Sequence, residues 1–277
     1  MHPVGKALWF IESHLASELS LEQIAQQCEL SRFSLARAFG MSMGYSVMRY
    51  VRARRLSEAA RALAAGAVDI LEVALEAGYG SHEAFTRAFR EQFGRTPEAL
   101  REQGNLGEIL LVEPLRMNQL HPIALQTPRF ESAGPLLIAG MAERFSFETT
   151  QKIPGLWQRF APSIGAIANQ ADGCTYGVCH NRDEQGGFDY LAGVEVSSFA
   201  GLAERFKRMK IPAHSYAVFI HPGHIATLRD SFASIWNQWL PQSGYKVGDG
   251  PEFVRCSQDF DPLAGTGTAE IWLPIET

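Results

Sequence analysis

Ser31–Phe39 reads SRFSLARAF, and Ser81–Phe89 reads SHEAFTRAF. Each runs Ser, three variable residues, a large apolar residue, one more variable residue, then Arg-Ala-Phe. Ser is a strong N-cap, so both stretches are expected to open helices at Ser31 and Ser81. On such helices Leu35, Ala38 and Phe39 face inward with Ile24, and Phe85, Ala88 and Phe89 face inward with Val73. The opposite faces then carry Arg32, Phe33, Ala36 and Arg37 in the first copy and His82, Glu83, Thr86 and Arg87 in the second. Each copy follows a short apolar-periodic segment and a turn, LEQIAQQCEL in one case and ILEVALEAGYG in the other. A short helix, a turn and a second helix with an Arg-bearing polar face match the helix-turn-helix pattern, whose second helix reads base edges in a major groove. A helical repeat with solvated faces is the competing reading. Two copies favour the DNA reader, because RARRLSEAARALAAG between them reads as a rigid helix that can hold two reading helices about one DNA turn, ~34 Å, apart.

The rest of the front third agrees. Apolar positions recur at helical spacing from Leu8 to Phe93, with Gly and Pro only between runs. Residues 1–105 carry 12 basic and 12 acidic side chains and are neutral, whereas residues 106–277 carry 13 and 18 and hold the whole net charge of −5. Every basic residue of the front part except Lys6 is arginine, the better fork for phosphates and guanine edges. Overall acidity therefore permits DNA binding without establishing it.

Around residues 104–122 the texture changes to Gly, Asn and Pro punctuation, which reads as a linker. Beyond it, strand-like Leu136–Phe145 precedes a helical pattern over Leu156–Ile167, then strand-like Tyr176–His180 and Tyr190–Val196. The order repeats with Tyr216–His221, an amphipathic stretch Ile225–Leu240, and short strands at Phe253–Cys256 and Glu270–Pro274. The expected fold is two domains, an all-α double helix-turn-helix followed by an α+β domain of two β-α-β-β units. The boundaries are 1–105, a linker at 106–121, and 122–277.

The segments LSRFSLARAFG, YVRARRLSEAARAL and GYGSHEAFTRAFREQFGRTPEALR resemble the AraC-type DNA-binding domain over about the first hundred residues. The resemblance implies base reading by Phe33, Ala36 and Arg37 and by His82, Glu83 and Arg87. Ala36 departs from the pattern, since relatives often carry a hydrogen-bonding side chain there, which leaves first-helix specificity to Arg37, Arg32 and apolar contact from Phe33. Phosphate contacts fall to Arg49, Arg52, Arg54 and Arg90, with salt bridges to Glu58 or Glu91 as the alternative use of any one of them.

The stretch YAVFIHPGHIATLRDSFASIWNQWLPQSGYKVGDGPEFVRC, with FDYLAGVEV before it and AEIWLPIE after it, resembles the GyrI-like ligand-binding domain. That resemblance implies a cleft for a small molecule, often aromatic or cationic. Cation-binding relatives often place Glu where this chain has Val254, and an aromatic at Cys256. Glu252, on the same strand face as Val254, and Glu195 are the alternative acids, and Trp157, Tyr176, Tyr190, Phe219 and Trp272 are candidate walls. Core packing is the competing role for each aromatic.

Other motifs carry less. GMSMG at Gly40–Gly44 spells a nucleophile elbow but follows an Arg-rich helix instead of a strand, and reads as a helix end. HPGH at His221–His224 straddles a turn, and CTYGVC has no second ligand pair, so no metal and no cofactor is expected. The four cysteines read as free thiols. No apolar run approaches the roughly 20 residues of a membrane span. The expected protein is a cytoplasmic, non-enzymatic transcription regulator whose partners are double-stranded DNA, a small effector and RNA polymerase. A drug-sequestering or inhibitor protein with weak DNA binding is the alternative. A hydrolase acting through Glu195 ranks last, because no nucleophile–base pair can be placed.

Overall fold

The computed structural model describes residues 3–107, 109–115, 123–183, 185–261 and 264–276. Two compact units emerge: 1–35 with 46–119, and 36–45 with 120–277. The second therefore includes the Ala36–Tyr45 stretch.

The helices of the front third are α1 (Pro3–Ser13), α2 (Leu21–Gln27), α3 (Arg32–Met43), α4 (Val47–Ala64), α5 (Ile70–Glu76), α6 (His82–Phe93) and α7 (Pro97–Gln103). Their starts follow from local chemistry. Ser20 forms a capping box with Gln23, and Ser46, Asp69, Ser81 and Thr96 each accept a backbone N–H of the first turn. Pro97 sits at the start of α7, where its missing N–H costs nothing. The 18 residues of α4 form one unbroken helix, about 27 Å long at 1.5 Å per residue. Leu56, Ala60 and Leu63 of α4 share a core with Ile70, Val73 and Ala74 of α5, Phe85 and Phe89 of α6, and Leu100 of α7.

Leu106, Ile109 and Leu111, at the start of the expected linker, pack against that same core. The Val112 N–H donates to Ser57 Oγ at 2.9 Å, and the Leu115 N–H donates to Tyr50 Oη at 3.0 Å. Residues 106, 107 and 109–115 thus dock along α4; 108 and 116–121 lie outside the described residues.

In the second unit the strands are β1 (Arg129–Ala133), β2 (Leu136–Ser146), β3 (Gln170–His180), β4 (Gly187–Val196), β5 (Lys207–Ile211), β6 (His214–Ile220), β7 (Lys246–Val247), β8 (Glu252–Cys256) and β9 (Ala269–Glu276). They pair antiparallel in the order β1-β6-β9-β8-β3-β4-β2-β5, with β7 on β9. With α8 (Ile153–Phe160) and α9 (Leu228–Ser234), this gives the two expected units, β2-α8-β3-β4 and β6-α9-β8-β9. They meet at β8–β3 in mirror order. Each half also lends its lead-in strand to the other: β1 pairs with β6, and β5 with β2.

Two helical boundaries differ from the sequence expectation. α8 stops at Phe160 and not at Ile167, because Pro162 cannot donate to the carbonyl four residues back and Ile164 is extended. The stretch Ile225–Leu240 is a 3-10 turn, then α9, then a π-helical turn at Ile235–Trp239, and ends in α10 (Leu240–Ser243).

Candidate DNA-reading helices and effector cleft

Both copies of the nonapeptide form capped helices. Ser31 Oγ accepts the Ser34 N–H at 3.0 Å, and Ser81 Oγ accepts the Ala84 N–H at 3.2 Å. On α6, Phe85 and Phe89 are fully buried while Glu83, Arg87 and Arg90 are exposed. His82 is half-exposed and pairs with Glu98 at 2.9 Å. The Glu83 carboxyl is held below its usual range by its own backbone N–H and by the Ser81 hydroxyl. Thr86 differs from expectation. Its hydroxyl is buried without a hydrogen-bond partner, so it does not stand on the open face.

On α3, Leu35, Ala38 and Phe39 are buried as the spacing requires. Arg32 is exposed and pairs with Glu22 of α2 at 3.0 Å; Phe33 is 44% exposed, and Ala36 is half-buried. Arg37 is not on an open face; only 2% of it is exposed.

Of the expected phosphate contacts, Arg49, Arg52 and Arg90 are exposed. Arg54 is corrected: it is 3% exposed and built into the fold. Its Nη2 meets Glu12 at 2.9 Å, and its Nη1 meets Glu58 at 2.9 Å and the Val112 carbonyl at 3.0 Å. Burial works against its charge, yet the bonds to Glu12 and Glu58 hold its pKa above the usual value. Residue counting along α4 could not separate it from Arg52, because the partner Glu12 lies on α1. Arg54→Ala is expected to cost about 1–2 kcal/mol in thermal or denaturant unfolding, reduced by the partial exposure of both glutamates. The salt slope of DNA binding should not change, whereas a phosphate contact would lower it by about one.

In an antiparallel sheet, directly opposed residues share a face. Register therefore sorts the candidate cleft residues into two sets. Phe219 opposes Ile271, Ile271 opposes Val254, Val254 opposes Gly177, and Gly177 opposes Ala192. This face also holds Glu252, Cys256, Cys179 and Tyr190. Both helices cover it: α8 packs on Ala139, Ala192 and Val194, and Trp239, in the π-helical turn beyond α9, meets Phe219 edge-on at 4.9 Å. Trp157 of α8 donates to Tyr190 Oη at 3.0 Å. Tyr176, Glu195 and Trp272 lie on the other face, so the seven candidates do not wall one cleft.

On that second face, Tyr176 Oη donates to Glu195 at 2.9 Å and Arg255 Nε donates to Tyr176 Oη at 3.3 Å. Burial and then Glu195 push the Tyr176 phenol up. Trp272 donates to Glu270 at 3.1 Å and lies under Arg129, whose Cζ is 5.9 Å from its ring centroid. Tyr216, Phe253 and Trp272 close the centre with ring centroids 5.3 to 5.5 Å apart. This face is a packed aromatic core with charged edges, in which the Tyr216 hydroxyl is buried without a hydrogen-bond partner.

The helix-covered face contains the more distinctive group. Glu252 is 2% exposed, and its two carboxylate oxygens accept from Arg37 Nε, at 3.2 Å, and Arg37 Nη2. Arg182 Nη2 stands 3.5 Å from Glu252 Oε1. Phe232 of α9 lies beneath Arg37, its ring centroid 5.5 Å from Cζ. Sequence reasoning missed Arg182 and Phe232, since neither a loop arginine nor one more apolar helix residue stands out by spacing.

The remaining motifs are structural. Gly40–Gly44 is the end of α3 and its turn, with Gly44 at φ +76. His221 is buried, its Nδ1 2.8 Å from Ser231 Oγ, and His224 Nδ1 accepts the Ala226 N–H at 3.1 Å. All four cysteines are free, and burial first of all pushes the Cys28 and Cys256 thiols up to about 11. Among the described residues no cluster of His, Cys, Asp and Glu could hold a metal ion, and no helix is long and apolar enough to cross a membrane.

Comparison with known proteins finds matches to both parts of the chain. Residues 24–103 match a helix-turn-helix domain, and residues 126–276 match the GyrI-like small molecule binding domain. The right origin-binding protein of Escherichia coli K12 is 38% identical over 274 residues, covering 93% of this chain and 91% of its own. The transcriptional regulator BrlR of Pseudomonas aeruginosa is 27% identical, covering 93% and 96%, and the transcriptional regulator Rob of Salmonella typhimurium is 26% identical, covering 90% and 94%. The chain belongs to the family of regulators in which an AraC-type helix-turn-helix DNA-binding domain precedes a GyrI-like small-molecule-binding domain.

Proposed function

We propose that this regulator reads a bipartite operator as a single chain, with α3 and α6 in adjacent major grooves. Arg32, Phe33, Ala36 and Arg37 read one half, and His82, Glu83 and Arg87 the other, while Arg49, Arg52 and Arg90 hold phosphates. The carrying observation is the nonapeptide repeat, both copies of which form Ser-capped helices after a short helix and turn, with Glu83, Arg87 and Arg90 of the second open to solvent. The effector site lies on the helix-covered sheet face around Glu252. The reading carries no enzymatic step and places the protein in the cytoplasm, acting on DNA together with RNA polymerase.

Selection from a random duplex pool with the full-length protein tests this. Enrichment of two half-sites about 10 base pairs apart is expected. Binding without enrichment that collapses between about 50 and 200 mM salt would instead favour a sequestering protein with nonspecific DNA contact.

A further inference from the structure

Arg37 is the one expected base-reading residue that is almost wholly buried, and Glu252 is the one buried carboxylate among the expected effector residues. They meet in the same compact unit. An ionised carboxylate 2% exposed is stabilised by a cation within hydrogen-bonding reach, and Arg37 supplies one through a two-pronged contact. Phe232 offers its ring to the guanidinium, a second feature that selects a cation.

Further contacts hold the Ala36–Tyr45 stretch in place. Arg229 donates to the Met41 carbonyl at 2.7 Å and to the Ser42 carbonyl at 3.1 Å, at the C-terminal end of α3 where cations are favoured. Asn237, in the π-helical turn, donates to Ser42 Oγ at 2.6 Å. Gly40 lies so close to Phe147 that an added Cβ would fall 2.2 Å from the ring. A mid-helix glycine costs about 1 kcal/mol relative to alanine, and here it permits the approach.

We propose that Glu252 and Phe232 form a guanidinium site that Arg37 occupies from within the chain, and that a small guanidinium compound competing for this site releases Arg37 to read DNA. The coupling rests on the function proposed above; the site itself does not. A competitor must bring Arg37's charge, because among the described residues Glu252 would otherwise keep only the more distant Arg182. An arginine bound to its own carboxylate cannot also contact a base, so docking lowers operator affinity by the fraction of molecules docked. A population that is 90% docked corresponds to about tenfold.

Two measurements test the two halves. In calorimetry at millimolar concentration, methylguanidine should bind full-length Arg37→Ala and bind Arg37→Ala/Glu252→Gln and the wild type at least tenfold more weakly. Equal binding to all three overturns the site. Should Arg37→Ala not fold, Arg37→Met keeps the stem and replaces it. On the selected operator, Glu252→Gln and Gly40→Ala should each tighten binding about threefold or more, as should methylguanidine on the wild type. Unchanged or weaker binding in all three overturns the coupling. If no operator emerges from selection, the DNA-reading proposal has failed, while the calorimetry still decides the site.

Discussion

Phe89→Ala is expected to remove about 3–5 kcal/mol from the stability of the helical unit and to weaken operator binding with it. Phe89 is fully buried, with ring centroids 5.5 Å from Phe85 and 4.7 Å from Phe93, and it joins α6 to the core formed by Leu56, Val73 and Leu100. Truncation loses the transfer energy of the ring and leaves a cavity that three helices cannot all close. A domain of this size holds about 5–15 kcal/mol in total, so the loss is a large share of it. Denaturant unfolding followed by helical circular dichroism measures it. Leu75→Ala on α5 is the control: Leu75 is 58% exposed, and a change within about 0.5 kcal/mol is expected. Equal losses at the two positions would show that Phe89 is not a core residue.

The repeated nonapeptide was legible because helix caps and 3.6-residue periodicity are local. Ser31, Ser81, Phe85 and Phe89 need no distant partner to be interpreted. The two β-α-β-β units were legible for a similar reason, since their strands carry dense apolar runs. β1 (RFESA) and β5 (KRMKI) were missed because they sit at the sheet edges, where charged side chains guard against further pairing and erase the apolar alternation. Cleft membership was harder still. Tyr176 and Tyr190 look alike along the chain, yet strand register sends them to opposite faces, and register is a property of pairs. Burial of Arg37 by Glu252, 215 positions away, and of Arg54 by Glu12, 42 positions away, rests on long-range contacts that no single stretch encodes.

Arg87→Ala is expected to weaken operator binding by about 1–3 kcal/mol, roughly 5- to 150-fold, and to relax preference at one base pair in the half-site read by α6. Its position supports this. Phe85 and Phe89 point inward four residues apart, so Arg87 between them projects to the opposite side, where Glu83 and Arg90 are also exposed. An arginine on the outer face of a groove-entering helix can place two N–H donors on guanine O6 and N7, and alanine can place none. Competition binding on the operator and on its single-base variants measures both effects, with random duplex as reference. Loss confined to the operator, with flattened discrimination at one position, assigns Arg87 to a base. Equal loss on operator and random duplex, with a salt slope lower by about one, assigns it instead to a phosphate. The same comparison separates Arg87 from Arg90, three residues further along the exposed side of α6 and expected to behave in the second way.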